Sequence, residues 1–119
     1  MKDITTFDVF DKLDLRVGEI VSVEAVPKSK KLLKFVVNFG AEIGEKVILS
    51  GIAPNRDGNP DAVGGTYAIP GQRVVAVLNF EPREMMGIMS NGMLLSSKDE
   101  DGKFWLTSPL MGAVGSSVG

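Results

Sequence analysis

The 119-residue chain contains no cysteine and no histidine. Without cysteine it has no disulfide framework, no thiolate nucleophile, no iron–sulfur cluster and no Cys-based zinc site. Without histidine it has no Ser-His-Asp triad, no imidazole acid–base catalyst and none of the commonest transition-metal ligand. Long apolar runs are missing too. The longest, Val74-Val75-Ala76-Val77-Leu78, is about a quarter of a membrane span. The opening Met1-Lys2-Asp3-Ile4-Thr5-Thr6-Phe7-Asp8 has neither the basic nor the apolar region of a signal peptide. No pair of carboxylates is placed for hydrolysis. The expectation is a soluble cytoplasmic protein with no membrane partner, no metal, no cofactor and no catalytic activity of its own.

What the chain does contain is a globular composition, 44% hydrophobic and 24% charged, at a length that suits one domain over residues 1–119. Such a domain buries enough surface for a real core. The formal net charge of −2 argues on its face against a polyanionic partner. The placement of that charge argues otherwise, as described below.

Phe7, Phe10 and Leu13 recur at helical spacing, which predicts a short helix over 7–13 that Thr5 or Thr6 could cap. From Leu13 the period becomes two. Leu13, Leu15 and Val17 alternate with Asp14 and Arg16, and after a slip at Gly18-Glu19 the pattern continues through Val21, Val23 and Ala25. A glycine at the slip predicts a bulge in one long strand, a device that lets a small sheet curl. Further strands are predicted over 32–39, 46–52, 72–80 and 88–96, the last around Gly92. Residues 53–71, with Pro54, Pro60 and Pro70 and several glycines, read as loop. A hairpin signalled by Asp101-Gly102 leads into Phe104-Trp105-Leu106. The pattern predicts an all-β fold, an OB-fold barrel of five strands with a short N-terminal helix and a C-terminal hairpin extension. Periodicity alone leaves an SH3-like barrel or a small sandwich open.

Two segments carry chemistry. Lys28-Ser29-Lys30-Lys31-Leu32-Leu33-Lys34 holds four lysines, and no acid stands between Glu24 and Glu42. A solvated loop can look like this. Point charges on flexible stems also suit a phosphate backbone. The cluster falls between the first two strands, one of the two loops that bound the ligand face of an OB-fold. The other is Asn79-Phe80-Glu81-Pro82-Arg83-Glu84-Met85-Met86-Gly87-Ile88-Met89-Ser90-Asn91-Gly92-Met93. In one reading its methionines fill irregular core gaps. In the other, Asn79, Arg83 and Ser90 are hydrogen-bond donors at a groove rim and Met93 is an apolar surface for a base.

The order and spacing of Phe7-x-x-Phe10-x-Lys12-Leu13-Asp14-Leu15-Arg16-Val17-Gly18, Lys31-Leu32-Leu33-Lys34 and Ser50-Gly51-Ile52 carry a resemblance. So does Asn79-Phe80-x-Pro82-Arg83-x-Met85-x-Gly87-Ile88-x-Ser90-x-Gly92-Met93, the most specific of these motifs. From about residue 7 to 115 the chain resembles the tRNA-binding domain appended to bacterial methionyl-tRNA synthetases, which also occurs as free-standing dimeric tRNA-binding proteins. The resemblance implies an OB-fold, a homodimer formed through N- and C-terminal additions, and tRNA bound largely by shape. It further implies support of a methionyl-tRNA synthetase catalytic domain, to which any ligase activity would belong.

By matched position, Lys31, Lys34, Asn79, Arg83, Ser90 and Met93 are the tRNA-contacting candidates, and the cluster adds Lys28 and Lys30. The chain departs from the family at Met86, where a basic residue is common, and at Asn91, where Glu or Gln is frequent. Apart from the candidate contacts, Arg16 reads as an ion-pair or interface residue, Trp105 as core or interface, and Asp99-Glu100-Asp101 as solvated. The alternative reading is a CsaA-like export chaperone that binds unfolded polypeptide, which the clustered methionines fit.

Overall fold

The computed structural model describes residues 1–29, 32–51, 70–100 and 104–119. Lys30, Lys31, Tyr67, most of the expected 53–71 loop and the expected Asp101-Gly102 turn lie outside the described residues.

The chain opens with a single-turn helix α1 (Phe7–Asp11), shorter than the 7–13 expected, and none of its residues is buried. Thr6 occupies the N-cap but makes no side-chain capping bond. The strands are β1 (Leu15–Ala25), β2 (Leu33–Asn38), β3 (Glu45–Ser50), β4 (Arg73–Val77), β5 (Arg83–Met85), β6 (Ile88–Ser90), β7 (Met93–Leu94), β8 (Ser96–Lys98), β9 (Phe104–Leu106) and β10 (Ser117–Val118). A curled antiparallel sheet in the order β3-β2-β1-β4-β7 forms the body of an all-β, OB-like barrel, and β10 joins it beside β1. The expected C-terminal hairpin is present as β8–β9, with Ser96 opposite Leu106.

The interior is filled by Ile20, Leu33, Phe35, Val37, Phe39, Ile48, Val74, Ala76, Leu94 and Leu106. Strand β4 and the first half of β1, from Leu15 to Ile20, are covered on both faces, because Leu15, Val75 and Val77 form a second cluster with Leu95 and Val118 outside the barrel. This corrects the expectation of one apolar face along β1. Leu15 and Val17 share a face with Val77 and Val75, whereas Gly18 lies opposite Val74 on the interior side.

The bulge also moves. Register against β2 shifts between Ile20 and Ser22, so the extra residue is Val21, which is 42% exposed, and not Gly18. One inserted residue exchanges the two faces, which returns Val23 to the interior opposite Phe35. Gly18 serves close packing instead. A Cβ there would lie 2.5 Å from Val37 Cγ1 and 2.6 Å from Phe39 Cε1.

The strand expected over 88–96 is three strands with three partners: β6 pairs with β5, β7 with β4, and β8 with β9. The chain turns at Gly92, where a Cβ would stand 3.1 Å from both the Val77 carbonyl oxygen and Ile48 Cδ1. Strand β10 was not expected at all. It occupies the edge of β1 that β2 leaves free, with Leu15 opposite Val118.

Candidate functional site

The outward face of β1–β3 is organised in cross-strand rows. Glu24 lies opposite Lys34, and Lys34 opposite Leu49. Directly opposed residues of an antiparallel pair have Cβ atoms about 5 Å apart, so Lys34 stands next to whatever covers Leu49. The covering element is the β5–β6 hairpin. Together with the segment that follows β4 it encloses a groove of about 360 Å³ lined by Leu49, Phe80, Glu81, Arg83, Met85, Ser90, Gly92 and Met93.

Alternation in the hairpin explains this lining. Arg83 pairs with Ser90 and Met85 with Ile88 on one face, while Glu84 and Met89 occupy the other. Arg83 is exposed, and Met93 is 45% exposed at the start of β7. The groove therefore offers an apolar floor with a guanidinium at its rim and the Lys34 ammonium one strand away.

The β1–β2 loop adds Lys28, which is exposed. Its described residues are held by three hydrogen bonds: the Val26 N–H donates to the Leu32 carbonyl at 3.4 Å, the Ser29 N–H to the Val26 carbonyl at 3.1 Å, and the Leu32 N–H to Ser29 Oγ at 3.0 Å. Of the eight candidate residues the structure thus describes Lys28, Lys34, Asn79, Arg83, Ser90 and Met93, with Arg83, Ser90 and Met93 in one groove and Lys34 adjoining it.

Asn79 and Ser90 have their polar atoms engaged within the protein. Asn79 Oδ1 accepts from the Asp14 N–H at 2.8 Å, and its Nδ2 donates to the Lys12 carbonyl at 2.7 Å. The Leu78 N–H also donates to the Asp14 carbonyl at 2.8 Å. Asn79 therefore staples the root of the groove loop to the link between α1 and β1.

Ser90 is 3% exposed. Its Oγ accepts from the Leu49 N–H at 2.9 Å and donates to the Gly92 carbonyl at 3.2 Å. With the Asn91 N–H donating to the Val47 carbonyl at 2.8 Å, these bonds join the hairpin to the outer edge of β3. An edge strand whose N–H groups lack partners invites foreign pairing, and here a hydroxyl supplies one of the partners.

The expectations for residues apart from the candidate contacts fare differently. Arg16 is the ion-pair residue expected, with Nε 2.7 Å from Asp14 Oδ1 and Nη1 donating to the Gly115 carbonyl at 3.2 Å. Asp99, expected to be only solvated, accepts a 2.6 Å hydrogen bond from Trp105 Nε1. Among the described residues no group of three or more carboxylates is disposed to hold a metal ion. Leu49, Phe80, Glu81, Met85 and Gly92 complete the groove; Phe80, Met85 and Gly92 stand in the loop motif without having been candidate contacts, and Leu49 was not singled out from the sequence. The apolar run Val47-Ile48-Leu49 was the available signal, since a run without alternation marks a strand covered on both faces.

Comparison with known proteins gives the family of the chain. A family profile described as "Putative tRNA binding domain" matches residues 15–117. The methionine–tRNA ligase of Cytophaga hutchinsonii is 40% identical over 109 residues, which is 92% of this chain and 14% of that relative. The corresponding ligase of Methanocaldococcus jannaschii is 39% identical over 95 residues, 77% of this chain and 13% of the relative. The chain thus spans about one seventh of the curated relatives it matches.

Among solved structures, a protein related to methionyl-tRNA synthetase from Pyrococcus horikoshii superposes with a TM-score of 0.81 at 30% identity, covering 98% of this chain and 99% of the other. The CsaA chaperone of Picrophilus torridus superposes equally well, at 0.81 and 26% identity, covering 98% of this chain and all of the other (100%).

Proposed function

The chain belongs to the tRNA-binding domain family, and on that premise we propose that it is a non-catalytic module that holds tRNA by shape and backbone charge in support of a methionyl-tRNA synthetase catalytic domain. The observation that carries this reading is the groove that joins Arg83, Met93 and the row of Lys34 and Leu49 on one face. Cations there meet phosphates, and the apolar floor takes a base or sugar. Residues 1–119 act as one domain in this reading, in the cytoplasm, with Lys28, Lys30, Lys31, Lys34 and Arg83 supplying charge. Asn79 and Ser90 contribute by fixing the loop that carries Arg83 and Met93.

The module works as a homodimer. Ile4 (101% exposed), Phe7 (71%) and Val9 (54%) on the N-terminal arm, with Leu110 (98%) and Met111 (84%) toward the other end, leave apolar surface that a second copy would cover. Dimerisation would double the cationic surface and so raise affinity for a large RNA.

A salt series with bulk tRNA tests the reading. Log K is expected to fall steeply with log[salt], and each of Lys31→Ala and Lys34→Ala to flatten that slope by roughly 0.7–0.9. Absence of tRNA binding at low salt, together with capture of an unfolded polypeptide, would favour the alternative of a CsaA-like export chaperone. The exposed Met86 (54%), Met89 (48%), Met93 (45%) and Phe80 (46%) support that second reading, since flexible thioethers adapt to varied apolar ligands.

A further inference from the structure

Among the described residues, only two that are not glycine have positive φ: Lys28 at 65° and Met86 at 52°. Each sits in a tight turn of one of the two loops that bound the candidate face, Lys28 where the β1–β2 loop opens and Met86 at the end of the β5–β6 hairpin. Lys28 follows Pro27 in a turn closed by the bond from the Ser29 N–H to the Val26 carbonyl. The third position of such a type II turn requires positive φ and is normally Gly or Asn. Met86 and Gly87, at 52° and 80°, form the two-residue link between β5 and β6. That is a type I′ hairpin turn, whose first position favours Asn, Asp or Gly. A lysine and a methionine in left-handed backbone are strained in both places, and neither gains burial in return. Lys28 is exposed and Met86 is 54% exposed.

The two turns stand beyond the same end of the sheet. The β1–β2 loop leaves the row Ala25, Leu33 and Ser50. Along the hairpin, Asn91 bonds Val47 and Ser90 bonds Leu49, so β6 runs antiparallel to β3 and its tip projects past Ser50. Two strand spacings, about 10 Å, separate β2 from β6, the nearer strands of the two loops.

We propose that Lys28 and Met86 are the two ligand-gripping turn residues of this face, one cationic and one apolar, and that together they select RNA with unstacked bases over regular duplex. The proposal rests on the tRNA-binding reading and specifies the kind of RNA segment bound. A lysine ammonium takes a phosphate of either form. A thioether at a loop tip gains only where a base face is accessible, and a paired A-form helix hides its base faces inside the stack. Strain retained at two exposed turns on one functional face is the pattern left when ligand contact outweighs turn preference.

The test compares Lys28→Asn and Met86→Asn with the parent chain, because Asn adopts left-handed backbone readily. Both variants are expected to melt about 2–5 °C higher, as strain is relieved. Met86→Asn is expected to lose about five-fold or more in affinity for tRNA while its affinity for a fully paired RNA duplex of similar length stays unchanged. Lys28→Asn is expected to weaken both RNAs and to flatten the salt slope by roughly 0.7. Higher melting with parental tRNA affinity in both variants would overturn the role of the two turn residues. Equal losses on tRNA and duplex for Met86→Asn would overturn the selection for unstacked bases. A parent chain that fails to bind tRNA at low salt would instead overturn the reading of the face itself.

Discussion

The barrel interior and the amino-terminal helix both carry large apolar side chains, and the fold treats them oppositely. Phe35, Val37 and Ile48 are fully enclosed at 0% exposure, whereas Phe7 is 71% and Phe10 42% exposed. In α1 the two rings contact each other, with centroids 6.4 Å apart, while the helix buries nothing. Burying a Phe side chain is worth roughly 1.5–3 kcal/mol, so the barrel has used its aromatic residues and the helix has not. The barrel therefore draws far more from apolar burial than the helix does. The helix leaves its apolar surface uncovered.

The most severe way to probe this contrast is truncation on each side of it. Phe35→Ala is expected to cost about 3–5 kcal/mol in denaturant unfolding. Phe7→Ala, measured in dilute protein where any dimer has dissociated, should stay within about 0.5 kcal/mol of the parent. Comparable losses would mean that the helix belongs to the core after all.

A smaller effect is expected where barrel and groove meet. Ser90→Ala removes the acceptor of the Leu49 N–H, and leaving a buried donor unpaired costs about 1–3 kcal/mol. Because the same hydroxyl holds the hairpin against β3, faster amide exchange at Leu49 and weaker tRNA binding should accompany that loss. Full retention of both would show that the hairpin is anchored elsewhere.

Phe7→Ser with Phe10→Ser should change the stability of the barrel little, yet it should reduce the mass seen in sedimentation from dimer to monomer. A parent chain that sediments as a monomer, or a double variant that stays dimeric, would remove the helix from the interface.

Much of the fold could be read from residue order because the strands alternate. Lys34 and Asn38 alternate with Leu33, Phe35 and Val37, and β2 forms where that pattern stands. The reading failed where a residue's partner is remote. The bulge was expected at Gly18 on the rule that glycine marks irregularity, but Gly18 is small because Val37 and Phe39 press on it. The run around Gly92 looked like one strand, and three different partner strands divide it. Ser117 and Val118 carry no strand signal over two residues, and their pairing depends on a free edge of β1.

At the candidate site the motif marked the loop that lines the groove but not the posture of its members. Asn79 and Ser90 share the polar character of Arg83, and only their partners distinguish them. Those partners are Asp14, Lys12 and Leu49, distant in the chain and adjacent in space.

By itself the sequence determined the β-rich class, the exclusion of thiol and imidazole chemistry, and the gathering of lysines in one acid-free loop, since composition and local periodicity are properties of neighbours along the chain. Tertiary structure alone decided that Arg83, Met93 and Lys34 converge on one face, that Ser90 joins the hairpin to β3, and that strained turns at Lys28 and Met86 stand past the same end of the sheet. Those outcomes depend on hydrogen bonds and close contacts between segments dozens of residues apart, which form only once the sheet has curled.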